Sequence, residues 1–120
     1  MLTIVPVDEQ RRRALAAVFS APEVQGMAAL SGEREEGWGA FLFDNDTLTL
    51  LHLEADSPAV KDGLLRAILN AGRRAGILRA RCKQRELADF LKTEGFEDGK
   101  GFFEVELNAF FGRPCRGNSL

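Results

Sequence analysis

The chain has 120 residues, and this length favours a single domain. Apolar residues make up 45% and charged residues 28%, which is ordinary for a globular protein. The net charge of −2 argues against the cationic surface that nucleic-acid-binding domains carry. Two cysteines and one histidine are too few for a disulfide framework or for a four-cysteine or histidine-rich zinc site, so we expect no metal.

The apolar runs of the sequence are far shorter than the roughly 18 residues that a membrane-spanning helix requires. Residues Met1–Val5 lack the basic and long apolar regions of a secretory signal. Together with two cysteines that are expected to be free of disulfide bonds, these features predict a cytoplasmic protein that binds no membrane. We expect one domain over residues 1–111 and a C-terminal tail over residues 112–120.

The first half of the chain predicts a strand, a helix and a three-stranded meander. Leu2–Val7 is apolar and β-branched, and Glu9–Ser20 carries apolar residues at helical spacing after a capping Asp8. A charged turn, Glu33–Glu36, and an Asx-rich turn, Asp44–Asp46, separate three further strands. These strands are predicted over residues 25–32, 37–43 and 47–55.

The third strand of this meander carries polar residues near its end. Strict alternation places Leu48, Leu50, His52 and Glu54 on one face of Thr47–Ala55. Both faces are mostly apolar, so we expect a central strand that is covered on both sides.

The second half predicts a helix, a strand, a third helix and a closing hairpin. Ser57 and Pro58 start a leucine-rich helix that ends with Arg73, Arg74 and Gly76. The elements that follow are predicted over residues 77–82, 84–94, 96–98 and 102–107. This order predicts an α/β (α+β) layered fold with helices on both faces of a mixed, mainly antiparallel twisted sheet, centred on a parallel β-α-β unit.

The element order and three segments resemble the GNAT superfamily of acyl-CoA-dependent N-acyltransferases. The segment Pro58–Leu65 stands where members have Q/R-x-x-G-x-G/A after a strand, and Gly63 matches the last glycine. The segment Gln84–Phe96 stands where members have N-x-x-A-x-x-x-Y-x-x-x-G-F, with Gln84 at the asparagine position and Leu91 at the tyrosine position. The closing hairpin that follows Phe96 is the third point of resemblance.

The resemblance implies a protein that binds acetyl-CoA or another acyl-CoA and transfers the acyl group to an amine acceptor, whose identity the sequence leaves open. In members the pantetheine arm pairs with the central strand, and the diphosphate binds at the N-terminus of the following helix, where backbone amides and the helix dipole favour an anion. Lys61 adds a cation there, and Asp62 adds an adverse negative charge. The cofactor-binding residues implied in this way are Leu53, Ala55, Val60, Lys61, Asp62, Gly63, Leu64, Leu65 and Gln84.

Two side chains of the central strand are candidates for catalysis. His52 or Glu54 can accept the proton of the amine, directly or through a water molecule. Alternatively, His52 is a hydrogen-bonded histidine of the core and Glu54 a surface carboxylate at the end of the strand. The tyrosine that protonates the departing thiolate in many members is absent, because the chain contains no tyrosine. The alternative function is therefore a catalytically inactive GNAT-fold binding or structural module, and a weaker alternative is an unrelated α/β adaptor.

The remaining candidates are two thiols and a pair of phenylalanines. Cys82 has two functional interpretations, an acid beside the departing sulfur or a nucleophile. Its structural interpretation is a small buried apolar residue. Cys115 is either a reactive thiol or an idle one. The segment Ala21–Val24 leaves room for little more than a turn where members have two helices, so the acceptor side is open, built by a partner subunit, or absent. Phe110 and Phe111 follow the last strand, and their exposure would favour a homodimer.

Overall fold

The structure is a computed structural model that describes residues 1–112. Seven strands form one sheet in the order β1-β2-β3-β4-β5-β7-β6. The strands are β1 Leu2–Pro6, β2 Gln25–Ser31, β3 Arg34–Asp44, β4 Thr47–Ala55, β5 Arg79–Cys82, β6 Glu97–Asp98 and β7 Phe103–Glu106. The helices are α1 Glu9–Phe19, α2 Pro58–Arg74, α3 Ala88–Thr93 and α4 Leu107–Gly112.

The sheet is antiparallel except at its centre, where β4 and β5 run parallel and are joined by α2. β4 is the fourth of the seven strands, as its two apolar faces predicted. The mixed sheet with a central β-α-β unit and helices on both faces confirms the predicted fold class.

Short polar residues define the ends of the two long helices. The Asp8 carboxylate accepts a hydrogen bond from Arg11 N at 2.8 Å at the start of α1. At the start of α2, Ser57 Oγ accepts one from Val60 N at 3.2 Å, and Pro58 occupies the first turn. Gly76 lies just beyond the end of α2 with φ of +85°, a conformation that glycine adopts without strain. The predicted caps of α2 are therefore confirmed.

The core is divided unequally between the two faces of the sheet. We call the side covered by α2, α3 and α4 the α2 face, where twenty buried residues form one cluster. The opposite side, covered by α1, is the α1 face, where four buried residues form a second cluster: Leu15, Ala21, Val24 and Ala40. Close packing of α2 on the sheet depends on Gly39, because a Cβ atom there would lie 2.7 Å from Ile68 Cδ1.

A β-bulge in β4 overturns the predicted alternation of this strand. Ala40 pairs with His52 but the next residue, Phe41, pairs with Leu50, so Leu51 is an extra residue in β4. Leu48 and Leu50 face the α2 cluster before the bulge, and Leu53 faces it afterwards. His52 and Glu54 therefore lie on the α1 face, and the prediction that they share a face with Leu48 and Leu50 is wrong.

Four further expectations differ from the structure. The first turn is shorter than predicted, since β3 already begins at Arg34. The predicted strand 77–82 begins only at Arg79, because Ile77 N still bonds to the end of α2 at Gly72 O, 2.9 Å away. The predicted helix 84–94 is divided into a 3-10 turn, Arg85–Leu87, and α3. The last strand ends at Glu106, and α4 is a helix that the sequence did not predict.

The two phenylalanines on which the homodimer expectation rested lie on α4 and do not form an open patch. Phe110 is buried in the chain's own core. Phe111 is half-buried, with the Arg73 guanidinium 4.4 Å from its ring centre. The homodimer expectation rested on exposure of both side chains. Phe110 is not exposed, and Phe111 is exposed only in part. Cys115 and the predicted tail beyond Gly112 lie outside the described residues.

Candidate functional site

A fork opens between the two parallel strands at the centre of the sheet. Pairing of β4 with β5 runs from Thr47 opposite Arg79 to Leu50 opposite Cys82, where β5 ends. β4 continues to Ala55, and no strand among residues 1–112 pairs with this continuation on the β5 side. The continuation is thus an open strand edge, with backbone groups available to an extended ligand.

The backbone direction of this edge follows from its neighbours. Asp56 N donates to Glu36 O of β3 at 2.8 Å, so even-numbered residues past the bulge direct their backbone groups towards β3. Because these groups alternate along an extended strand, those of Leu53 and Ala55 point into the fork. The side-chain amide of Gln84 donates to Leu51 O at 2.9 Å and so bridges the base of the fork.

The two catalytic candidates meet beside the fork on the α1 face. His52 Nε2 lies 2.7 Å from Glu54 Oε1, and the two side chains are 35% and 60% exposed. The Trp38 ring stacks on the His52 ring with centres 4.4 Å apart and planes inclined by 21°. Both candidates are therefore reachable from solvent, and the imidazole is held on one side by an aromatic surface.

Trp38 is itself held by a residue of α1. The Arg11 guanidinium lies 5.5 Å from the Trp38 ring centre and makes a two-pronged ion pair with Glu35. Hydrogen bonding to Glu35 raises the pKa of Arg11 above its ordinary value, so this cation stays charged. The sequence did not predict these contacts to His52. The register of the hairpin around the Asp44–Asp46 turn was the one sequence signal that could have placed Trp38 near His52. The bulge shifts that register by one residue.

Comparisons with known proteins rest on structure. No protein-family model matches the sequence, and no curated protein matches it. The fold is similar to an acetyltransferase of the GNAT family from Staphylococcus aureus, with a TM-score of 0.71, 12% identity and coverage of 89% of this chain and 99% of that one. The fold is also similar to the ribosomal-protein-S18-alanine N-acetyltransferase from Escherichia coli, with a TM-score of 0.73 and 10% identity. That match covers 89% of this chain and 94% of the other.

A third similar structure was solved with bound ligands. N-acetylglutamate synthase from Neisseria gonorrhoeae, complexed with coenzyme A and N-acetyl-glutamate, gives a TM-score of 0.72 at 12% identity over 89% of this chain and 35% of that one. The chain has the GNAT acetyltransferase fold. At these identities the likeness establishes the fold, and the predicted resemblance is confirmed at that level.

In this GNAT fold, the segment predicted as a phosphate-binding loop is helical. Val60 N is capped by Ser57 Oγ, Lys61 N donates to Ser57 O at 3.0 Å, and the following residues continue the helix. Gly63 faces β1, since a Cβ atom there would lie 3.4 Å from Ile4 Cδ1. What this segment offers an anion is therefore the positive end of the α2 dipole rather than a glycine-rich loop. A phosphate contact stays a prediction.

The side chains of this segment divide into two groups. Those of Val60, Leu64 and Leu65 are buried in the α2 cluster, so only their backbone could meet a ligand. Lys61 and Asp62 are half-buried. Lys61 Nζ lies 5.3 Å from the Phe90 ring centre, and Asp62 pairs with Arg66 at 3.0 Å, which offsets the negative charge beside the helix terminus.

Cys82 lies at the base of the fork and is fully buried. Burial raises the pKa of its thiol above the ordinary value, although its sulfur accepts a hydrogen bond from Gln84 N at 3.4 Å. The thiol is therefore protonated at neutral pH, which favours the interpretation as a buried apolar residue over that of a nucleophile.

The connection between α1 and β2 is short. Ala21 N closes the end of α1 on Ala16 O at 3.0 Å, and Val24 N donates to Ala21 O at 3.1 Å, so α1 passes to β2 through a tight turn. The described residues contain no cluster of three or more potential metal ligands. In the same part of the chain, no helix is long and apolar enough to cross a bilayer.

Proposed function

We propose that this protein binds acetyl-CoA or another acyl-CoA and transfers the acyl group to an amine. The observation that carries the proposal is the open edge of β4 inside a GNAT fold, beside a hydrogen-bonded His–Glu pair. The structurally similar N-acetylglutamate synthase and a PaiA N-acetyltransferase from Thermoplasma acidophilum were both solved in complex with coenzyme A. An extended pantetheine arm has amide groups that can pair with such an edge.

The cofactor would lie along the fork. The backbone groups of Leu53 and Ala55 would hold the pantetheine amides, and Gln84 would keep the base of the fork in place. The diphosphate would meet the N-terminal turns of α2, Val60–Leu65, where the helix dipole and the Lys61 ammonium favour an anion. Asp62 opposes this attraction less than its charge suggests, because Arg66 neutralises it.

The chemistry would take place on the α1 face of the fork. The neutral amine attacks the thioester carbonyl, a C–N bond forms, the C–S bond breaks, and the amine proton passes to the His52–Glu54 pair. The leaving group is a thiolate, and thiols have an ordinary pKa of about 8.5, so it departs at neutral pH with less need of an acid than an alkoxide. This accounts for transfer without a tyrosine, and the departing sulfur takes its proton from water.

A second candidate function is a CoA-binding module without catalysis. It is favoured by Leu91, which stands at the family's tyrosine position and is 0% exposed in the core. A buried leucine can only pack there. The two candidates agree on the cofactor and differ in turnover.

Calorimetric titration of CoA, followed by thiol release from acetyl-CoA with a panel of amines, separates these candidates. Ala55→Pro removes the backbone N–H that points into the fork, while Ala55→Ser retains it. We expect Ala55→Pro to weaken CoA binding about threefold to tenfold, the effect of one hydrogen bond of about 0.5–1.5 kcal/mol, and Ala55→Ser to leave it unchanged. Absence of CoA binding to the unaltered chain would contradict both functions, and binding without turnover would leave only the second.

A further inference from the structure

A groove on the α1 face adjoins the fork but lies outside the proposed cofactor site. Its volume is about 430 Å³, within the range of small-molecule sites. Its walls are formed by the turn between β3 and β4, by β4 and β5, and by Lys83, and no helix among the described residues contributes to them. The short connection after α1 leaves this part of the sheet uncovered. The groove is therefore a surface that a ligand can reach.

The charges in the groove are arranged along its length. Asp44 and Asp46 lie at the turn, where Asp46 pairs with Arg79 at 3.4 Å. Arg81 pairs through Nε with Glu104 of β7, and a guanidinium has further N–H donors that this contact does not use. Lys83 is exposed and makes no ion pair with any residue of the described chain. Because Glu104 offsets the charge of Arg81, the net positive charge at this end of the groove comes from Lys83.

The cationic end of the groove lies next to the catalytic candidates. Leu50 pairs with Cys82, so Lys83 follows at the point where β4 enters its bulge and continues to His52. Ala80 and Cys82 face the α2 cluster, which places Arg79 and Arg81 on the α1 face, and Lys83, just beyond the end of β5, lines the same groove. Because of the bulge, His52 and Glu54 are on that face too. Lys83, just beyond the end of β5, and the His52–Glu54 pair of β4 thus stand on the two sides of the fork, and both are reached from the α1 face.

Building on the proposed function, we propose that the acyl acceptor is an amine that also carries a carboxylate, which Lys83 and Arg81 bind while the amine faces His52 and Glu54. β4 and β5 stop pairing after Leu50 and Cys82, so the carbon chain between amine and carboxylate must span more than the roughly 4.8 Å that separates paired strands. A carboxylate between an ammonium and a guanidinium forms charge-assisted hydrogen bonds, which are roughly twice as strong as neutral ones. The groove fixes the orientation of the acceptor, and the fork presents the thioester.

The anion site is tested first without cofactor. Glutarate and its uncharged analogue glutaramide are titrated into nitrogen-15-labelled protein, and the amide resonances of Thr49, Arg81 and Lys83 are followed. We expect saturable shifts with glutarate only, weakened at least fivefold in Lys83→Gln. Arg74→Gln removes one exposed positive charge at the far end of α2 and should leave glutarate binding within twofold. Equal shifts with both compounds, or no effect of Lys83→Gln, would overturn the proposal.

The second arm measures acceptor choice with acetyl-CoA. Each of β-alanine, 4-aminobutyrate and 5-aminovalerate is compared with its own amide, because each pair differs only in the anion. We expect a higher kcat/KM for the acids, and a loss of about tenfold in Lys83→Gln for the acids alone. A preference for the amides would overturn the acceptor class. Glutarate binding to a chain that binds no CoA would leave the anion site in place and contradict the proposed function instead.

Discussion

The two faces of the sheet differ in what they bury and in what they expose. On the α2 face a cluster of twenty buried residues lies under three helices, whereas the buried cluster of the α1 face has four residues under one helix. The His52–Glu54 pair, the Trp38 stack and the charged groove all lie on the thinly covered side. The comparison indicates that one face supplies stability and that the other, left open by a short connection, is free to carry polar side chains.

The bulge at Leu51 is the device that separates these roles within one strand. Without the bulge, strict alternation would place Leu48 and Leu50 on the same face as His52 and Glu54. One extra residue keeps Leu53 in the α2 core and transfers His52 and Glu54 to the α1 face. A β-bulge redirects side chains in this way at low cost, since only one residue loses its partner.

The largest expected effect is a loss of stability on the α2 face. Ile68 is 0% exposed between α2 and β3, and Ile68→Ala should lower the free energy of unfolding by about 2–5 kcal/mol. Leu51→Ala removes a half-buried side chain of the α1 face and should cost less than half as much. Urea unfolding measures both, and equal costs would contradict the division of the core.

The next effect is a loss of activity with stability retained. His52→Gln should reduce turnover with acetyl-CoA by about 100-fold or more, the contribution of a general base. Because His52 is partly exposed, the free energy of unfolding should change by less than about 1 kcal/mol. Thiol release and urea unfolding are measured on the same sample. A variant with undiminished turnover would remove His52 from the mechanism.

A smaller effect is expected from the aromatic support of His52. Trp38→Leu should reduce kcat up to tenfold, because an aromatic pair contributes about 0.5–1.5 kcal/mol beyond its buried area. Trp38→Phe retains an aromatic ring and should recover most of kcat, and neither change should alter the acceptor KM. If the leucine and phenylalanine variants are equally impaired, stacking is not what positions the imidazole.

The smallest effect concerns α1 and acid pH. Hydrogen bonding from Arg12 lowers the pKa of Glu9 from 4.5 to about 2. Since the pKa is lower in the folded state, the carboxylate stabilises the fold above about pH 4.5, and this contribution is lost as the pH falls towards 2. Glu9→Gln should flatten that part of a urea-midpoint profile slightly, whereas a matched change at the exposed Glu23 should not. Identical profiles would show that the pair does not affect folding.

Much of the architecture was predictable because local chemistry marks it. Serine and proline mark the start of α2, an Asx-rich turn marks the β3–β4 hairpin, and the two-faced apolar strand marks the centre of the sheet. α4 was not predictable, because Leu107–Gly112 is apolar enough to extend the preceding strand. Packing of Leu107 and Phe110 into the core decides whether this segment forms a helix or a strand.

The catalytic side of the site was predictable only in part. The pairing of His52 with Glu54 follows from their spacing, since residues two apart on a strand share a face. A regular register that starts at the Asp44–Thr47 pair, however, places Trp38 opposite Leu53. The bulge shifts the register so that Trp38 lies opposite Glu54. The bulge falls within a run of leucines, where no residue type distinguishes a bulged position from a regular one.

The central claim is that acyl-CoA lies along the open edge of β4, and a titration of CoA followed through backbone amide resonances tests it directly. The amides of Leu53 and Ala55 should show large saturable shifts, while those of Thr47 and Leu48, which lie at the far end of β4 beside β5, should stay nearly unchanged. Shifts confined to residues outside the fork, or none at all, would contradict the claim.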